Sequence, residues 1–194
     1  MYIVNKPGTY DFFYNDPNTY TPVADFPIPS DYILGPGDEI KLILFGNNNR
    51  TYKLTVTREG DIYFPKIGPI PVAGLSFSEM KKILIQRIGN QLPGVQASIT
   101  LGSLRSIQIF VLGDAYQPGT YLVSALSTLT NALFTSGGVK ENGSLRHIQL
   151  RRKGKTVVNF DLYDLLLNGD TSNDQRLEPG DVIFIPPVEK SVGI

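Results

Sequence analysis

Leu34-Gly35-Pro36-Gly37-Asp38-Glu39-Ile40 returns near the other end of the chain as Leu177-Glu178-Pro179-Gly180-Asp181-Val182-Ile183, with five of its seven residues unchanged. In each copy proline fixes φ and opens a tight turn, glycine accepts the positive φ that follows, and aspartate can hydrogen-bond the turn backbone before an apolar strand begins. Each copy predicts a turn that launches a strand, and two copies with matching flanks point to two small units. The first stands before the opening strand of its unit, the second before the closing strand of its own. They mark the limits of two units without being equivalent parts of one repeat.

Composition bounds what those units can do. The 194 residues suffice for one or two domains, and 18 lysines and arginines balance 18 aspartates and glutamates. A neutral chain offers no bulk electrostatic attraction for nucleic acid or an anionic membrane surface. With no cysteine, disulfides, thiolate nucleophiles, Cys-based metal sites and a lipidated cysteine are excluded within this sequence. No apolar run approaches the roughly 18 residues that span a bilayer as a helix.

Residues 1–30 carry Pro7, Pro17, Pro22, Pro27 and Pro29 among Tyr10, Phe12, Phe13, Tyr14, Tyr20 and Phe26. No strand or helix period survives these prolines, and the aromatics are too many for a free linker, so an extended arm lying against a folded body or a neighbouring copy is expected. Beyond it, Ile40 to Phe45 reads as a strand and Tyr52, Leu54 and Val56 alternate as a second. Glu59-Gly60-Asp61 turns the chain into Ile62-Tyr63-Phe64, and Pro65, Pro69 and Pro71 confine the next segment to edges or loops. Ser76 and Glu79 predict a capping box ahead of a helix with Met80, Ile83, Leu84 and Ile88 on one face, ending at Gly89-Asn90. Val95, Ala97, Ile99 and Leu101 alternate as the strand that completes the unit.

The second unit begins with Ile107, Ile109 and Val111, turns at Gln117-Pro118-Gly119-Thr120 and returns through Tyr121-Leu122-Val123. Leu126 to Phe134 has helical spacing that stops at Gly137-Gly138. Ile148 and Leu150 face Val158 and Phe160 across a Lys153-Gly154 hairpin, Asp161 caps a helix over Leu162 to Leu167, and the second Pro-Gly-Asp turn launches Val182 to Ile185. Strand, strand, helix, hairpin and closing strand is a β-grasp-like order in an α+β chain. Residues 189–194 are read either as the start of a further repeat, Ser191-Val192-Gly193-Ile194 having the apolar spacing of Ser106-Ile107-Gln108-Ile109, or as a tail.

Catalytic chemistry finds no anchor in these residues. The single histidine, His147, cannot build a multi-histidine metal site and has no cysteine partner. Asp170 to Asp174 spaces oxygens like the opening of a calcium loop, but Gln175 stands where such loops need glycine and Asp181 where they need glutamate. Gly35-Pro36-Gly37 lacks the third glycine of a dinucleotide fingerprint. Asp161 and Asp164 share a helix face but are explained as a cap and a first-turn acid. No cofactor or metal is expected, and neither is enzymatic activity. Saccharide binding asks for an exposed aromatic beside amide or carboxylate groups, and Asp114, Tyr116 and Gln117 form such a set at a projecting turn.

Taken together these motifs resemble the polysaccharide biosynthesis/export family of Wza-type outer-membrane translocons. Residues 31–104, with Leu34 to Asp38, Glu59-Gly60-Asp61-Ile62, Pro65-Lys66-Ile67-Gly68 and Val72-Ala73-Gly74-Leu75, resemble its export domain. Residues 105–188, with Val111-Leu112-Gly113, Pro118-Gly119-Thr120-Tyr121, Ala132 with Gly137-Gly138, and Leu177 to Phe184, resemble the SLBB domain, a soluble-ligand-binding β-grasp module. The resemblance implies a periplasmic, ring-forming homo-oligomer that receives capsular polysaccharide or exopolysaccharide from an inner-membrane co-polymerase and export machine. It carries over no catalytic residue, and only Gly37, Asp38, Gly180 and Asp181, as structural turn residues. Signal peptide, lipidated cysteine and membrane-spanning segment are missing from this sequence, so it is expected to be part of a larger member with several SLBB repeats, touching membrane only through other parts. A soluble saccharide-binding or sensing module is the alternative of a different class.

Overall fold

The computed structural model describes residues 27–47 and 49–188; residues 1–26 of the arm expected over 1–30, and the repeat start or tail expected over 189–194, lie outside them. The chain divides into two compact units, the division falling between Arg105 and Ser106.

In the first unit β1 (Glu39–Gly46) is the central strand, flanked by β2 (Arg50–Thr55) and β5 (Val95–Leu101), both antiparallel to it. Ile40, Leu42 and Leu44 on β1 are buried while Lys41, Ile43 and Phe45 face outward, the alternation that one covered sheet face requires. β3 (Asp61–Phe64) and β4 (Gly68–Pro71) form a separate two-stranded ribbon, where the prolines deprive no central ladder of a donor. Its Phe64 packs edge-on against Tyr52 of β2, with ring centroids 5.1 Å apart.

Helix α1 (Phe77–Gln91) starts at the capping box: Glu79 N–H donates to Ser76 Oγ and Ser76 N–H donates to the Glu79 carboxylate. Met80, Leu84 and Ile88 are buried and Ile83 is half-buried. The helix does not stop at Gly89-Asn90. It runs to Gln91 and ends at Leu92, whose N–H still donates to the Ile88 carbonyl. Pro93 decides the stop, because the residue before a proline is pushed out of the α region, and Leu92 sits at φ −128°, ψ 75°. A helical glycine costs only about 1 kcal/mol relative to alanine, too little to end a helix whose Ile88 is already buried.

The second unit is a five-stranded sheet in the order β7 (Gly119–Ser124), β6 (Ser106–Gly113), β10 (Val182–Ile185), β8 (Ile148–Arg152), β9 (Lys155–Phe160). β10 runs parallel to β6, and every other pair is antiparallel. The last described strand thus inserts between the first and third strands of the unit, with a helix between the second and third: a β-grasp. Ile148 pairs with Phe160 and Leu150 with Val158. Ile107, Ile109, Val111, Ile148, Leu150, Ile183 and Ile185 are buried together with Leu129, Ala132 and Leu133 of α2 (Leu129–Thr135) and Leu162 of α3 (Leu162–Asn168). Asp161 caps α3, and Gly169, at φ +68°, closes it.

Helix α2 starts later than the spacing from Leu126 implies. Thr128 and Asn131 form a capping box, and Leu129 N–H donates to the Gln175 carbonyl. Ser127 N–H turns back to Ser124, and Leu177 N–H reaches the Ser127 carbonyl. Residues 126–128 are therefore spent on an irregular crossing with 175–177.

Candidate functional site

The two Pro-Gly-Asp turns share one geometry. Asp38 N–H donates to the Gly35 carbonyl and Asp181 N–H to that of Glu178, both at 3.1 Å. Gly37 at φ +96° and Gly180 at φ +84° occupy the third position, as a type II turn demands. Each aspartate is fully buried and turns its carboxylate back on its own turn: Gly35 N–H donates to Asp38 Oδ2 at 2.9 Å, Glu178 N–H to Asp181 Oδ2 at 2.8 Å.

A buried carboxylate needs an opposite charge, and each unit supplies an arginine from far along the chain. Arg105 Nη1 lies 2.6 Å from Asp38 Oδ2 while its own N–H donates to Oδ1, and Tyr32 Oη donates to the same carboxylate at 2.9 Å. Burial, then the adjacent Asp38 charge, push the Tyr32 phenol well above its ordinary value near 10. In the second unit Arg152 makes a fork on Asp181, Nε to Oδ1 and Nη2 to Oδ2, both 2.8 Å, and its Nη1 reaches Glu178. Sequence reading found both aspartates but neither arginine, since partners 67 and 29 residues away leave no local pattern.

Asp114, Tyr116 and Gln117, the residues expected to suit a saccharide, lie in the loop between β6 and β7. Tyr116 is 46% exposed and its ring backs onto Gly137, where a Cβ would lie 2.9 Å from the ring. Tyr116 N–H donates to the Gly138 carbonyl and Gln117 N–H to that of Ser136, so the loop is pinned to the end of α2. Gln117 is exposed and Asp114 is half-buried.

His147 is exposed. Asp170 accepts from Ser172 N–H, and Asp174 caps the first turn of α2 through Thr130 N–H. Asp161 is occupied by the N–H groups of Tyr163 and Asp164 and by Arg146. Among the described residues no group of three or more His, Asp or Glu is placed to hold a metal ion, and no helix is long and apolar enough to cross a membrane. What the described residues offer is two small domains, each braced by a buried aspartate paired with an arginine.

Residues 27–102 match the polysaccharide biosynthesis/export protein family, and residues 108–185 match the SLBB domain. The chain belongs to the polysaccharide biosynthesis/export family. It is 32% identical over 166 residues to the polysialic acid transport protein KpsD of Escherichia coli, a match covering 84% of this chain and 30% of that protein. It is 30% identical over 138 residues to the EPS I polysaccharide export outer membrane protein EpsA of Ralstonia solanacearum, covering 70% of this chain and 36% of that one. The match thus spans about a third of the length of each of these relatives. Both family members are named for transport or export.

Proposed function

We propose that this chain is the periplasmic part of an outer-membrane channel that exports capsular polysaccharide or exopolysaccharide, acting as a non-enzymatic conduit. An export domain beginning at residue 31 and an SLBB domain reaching residue 188 form its wall. The observation that carries the reading is the ordered pair itself, an export unit followed by a β-grasp unit, in a chain similar to relatives whose names state polysaccharide transport or export. A channel wall made of one protein requires a ring, and a ring requires heterologous interfaces in which one face of a subunit meets a different face of the next. The aromatic arm over residues 1–30 is assigned to one such contact, and an inner-membrane co-polymerase and export machine is the donor of the chain that passes through. Mass measurement of the full-length protein in detergent tests this. A closed oligomer weakened by deletion of the arm is expected, and a strictly monomeric protein would contradict it.

A soluble saccharide-binding module is the second reading, favoured by the half-exposed Tyr116 ring held rigidly on Gly137 beside Asp114 and Gln117. Saturable amide shifts at those three residues on titration with capsular oligosaccharide would favour the receptor, and their absence the scaffold.

A further inference from the structure

The β-grasp sheet has a second face, opposite its helices, and the strand register places a distinct set of groups there. Gln149 and Arg151 on β8 alternate with the fully buried Leu150, so both point away from the core. Across the ladder Gln149 pairs with Phe184 and with Asn159, and Arg151 pairs with Val182 and with Thr156.

Arg151 is held, and its charge is not neutralised. Its guanidinium carbon lies 4.2 Å from the centroid of the Phe184 ring. Nε and Nη2 both donate to Gln149 Oε1, at 3.0 and 2.7 Å. Among the described residues no carboxylate is within ion-pair distance of it, whereas Arg105, Arg146 and Arg152 each have one. The same hairpin carries Lys153 and Lys155, which also make no ion pair among the described residues. Stacking on Phe184 and the Nε/Nη2 bonds fix the plane of the guanidinium and use one edge. The Nη1/Nη2 edge is left with two parallel donors, the fork that fits a planar carboxylate.

We infer that this face is a binding site for the carboxylate of an acidic sugar, with Arg151 as its anion-binding residue, Gln149 and Phe184 as the groups that position it, and Asn159 and Thr156 as hydroxyl partners. An aromatic ring, amides, a hydroxyl and an unpaired guanidinium on one rigid sheet are the groups by which a protein grips a charged saccharide. The site is separate in sequence from the Tyr116 loop. It rests on the export reading and narrows it to polysaccharides that contain uronic or similar acidic residues.

The test titrates the 194-residue chain with oligogalacturonate hexamer, with maltohexaose and with inorganic phosphate, following the amides of Gln149, Arg151 and Asn159. The hexamer is expected to bind saturably at these residues and maltohexaose not to bind there. Arg151→Gln should weaken the hexamer by about tenfold or more through loss of a charge-assisted fork, and Arg151→Lys by several-fold, because a point charge keeps attraction but not the fork. Unchanged affinity in Arg151→Gln, no binding of the hexamer, or displacement of the hexamer by an equal concentration of phosphate would each overturn the site. Wild-type and Arg151→Gln full-length proteins are then compared in a deletion strain of the host. If the wild type fails to restore surface polysaccharide, the export reading falls; if both restore an acidic polysaccharide equally, the site alone falls.

Discussion

Asp38 and Asp181 are the residues on which each unit closes. Asp38→Asn or Asp181→Asn leaves the side-chain shape but strands a partly buried arginine, and each should lower stability by about 3 kcal/mol in denaturant melts, since breaking one partner of a buried pair exposes the full desolvation cost. The glycines before them separate conformation from crowding. A Cβ on Gly180 meets nothing within 4 Å, so Gly180→Ala should cost about 1 kcal/mol for its positive φ alone. A Cβ on Gly37 would lie 3.3 Å from Arg105 Cβ, so Gly37→Ala should cost more. Tyr32 gives the pH dependence. Its folded-state value is raised, so the stability it contributes is present below about pH 10 and is lost as pH rises through the folded value. Thermal midpoints should therefore fall more steeply above pH 10 in wild type than in Tyr32→Phe, and equal slopes would contradict the node. Pro-Gly-Asp was legible because a type II turn is written in consecutive residues. Arg105 and Arg152 were not, because a buried charge pair is satisfied through space.

Elements were legible where one local force sets them. The α1 start was plain in Ser76-x-x-Glu79, and the β8–β9 register in Lys153-Gly154 between two alternating runs. Their ends were less so, because Gly89 signals a stop that Pro93 actually delivers, and the α2 start depends on backbone bonds to residues 175–177. Ser76→Ala should destabilise the first unit by about 1 kcal/mol, the usual worth of an N-cap. The capping box should also weaken in acid. Bonds from Ser76 N–H and its hydroxyl hold the Glu79 carboxyl below its ordinary value, so its contribution is present above that value and lost as pH falls through the lowered one. Glu79→Gln should flatten that part of the acid limb of the stability profile.

At the scale of the molecule the order of units carried the functional reading, and the side chains did not. No residue pattern for catalysis stood in the sequence, whereas the chain order of the second unit, two strands, a helix, a hairpin and a closing strand, could be read from turns and alternation; the place of β10 between β6 and β8 is set by non-local pairing. The Arg151 platform was invisible there, since Gln149, Arg151 and Phe184 converge only once β10 has inserted beside β8. The central claim is that the whole protein carries polysaccharide outward through the periplasm. It is tested most directly by deleting the gene in its host and measuring polysaccharide in the periplasmic and cell-surface fractions. Accumulation in the periplasm with loss from the surface is the predicted result; surface polysaccharide at the wild-type level would contradict it.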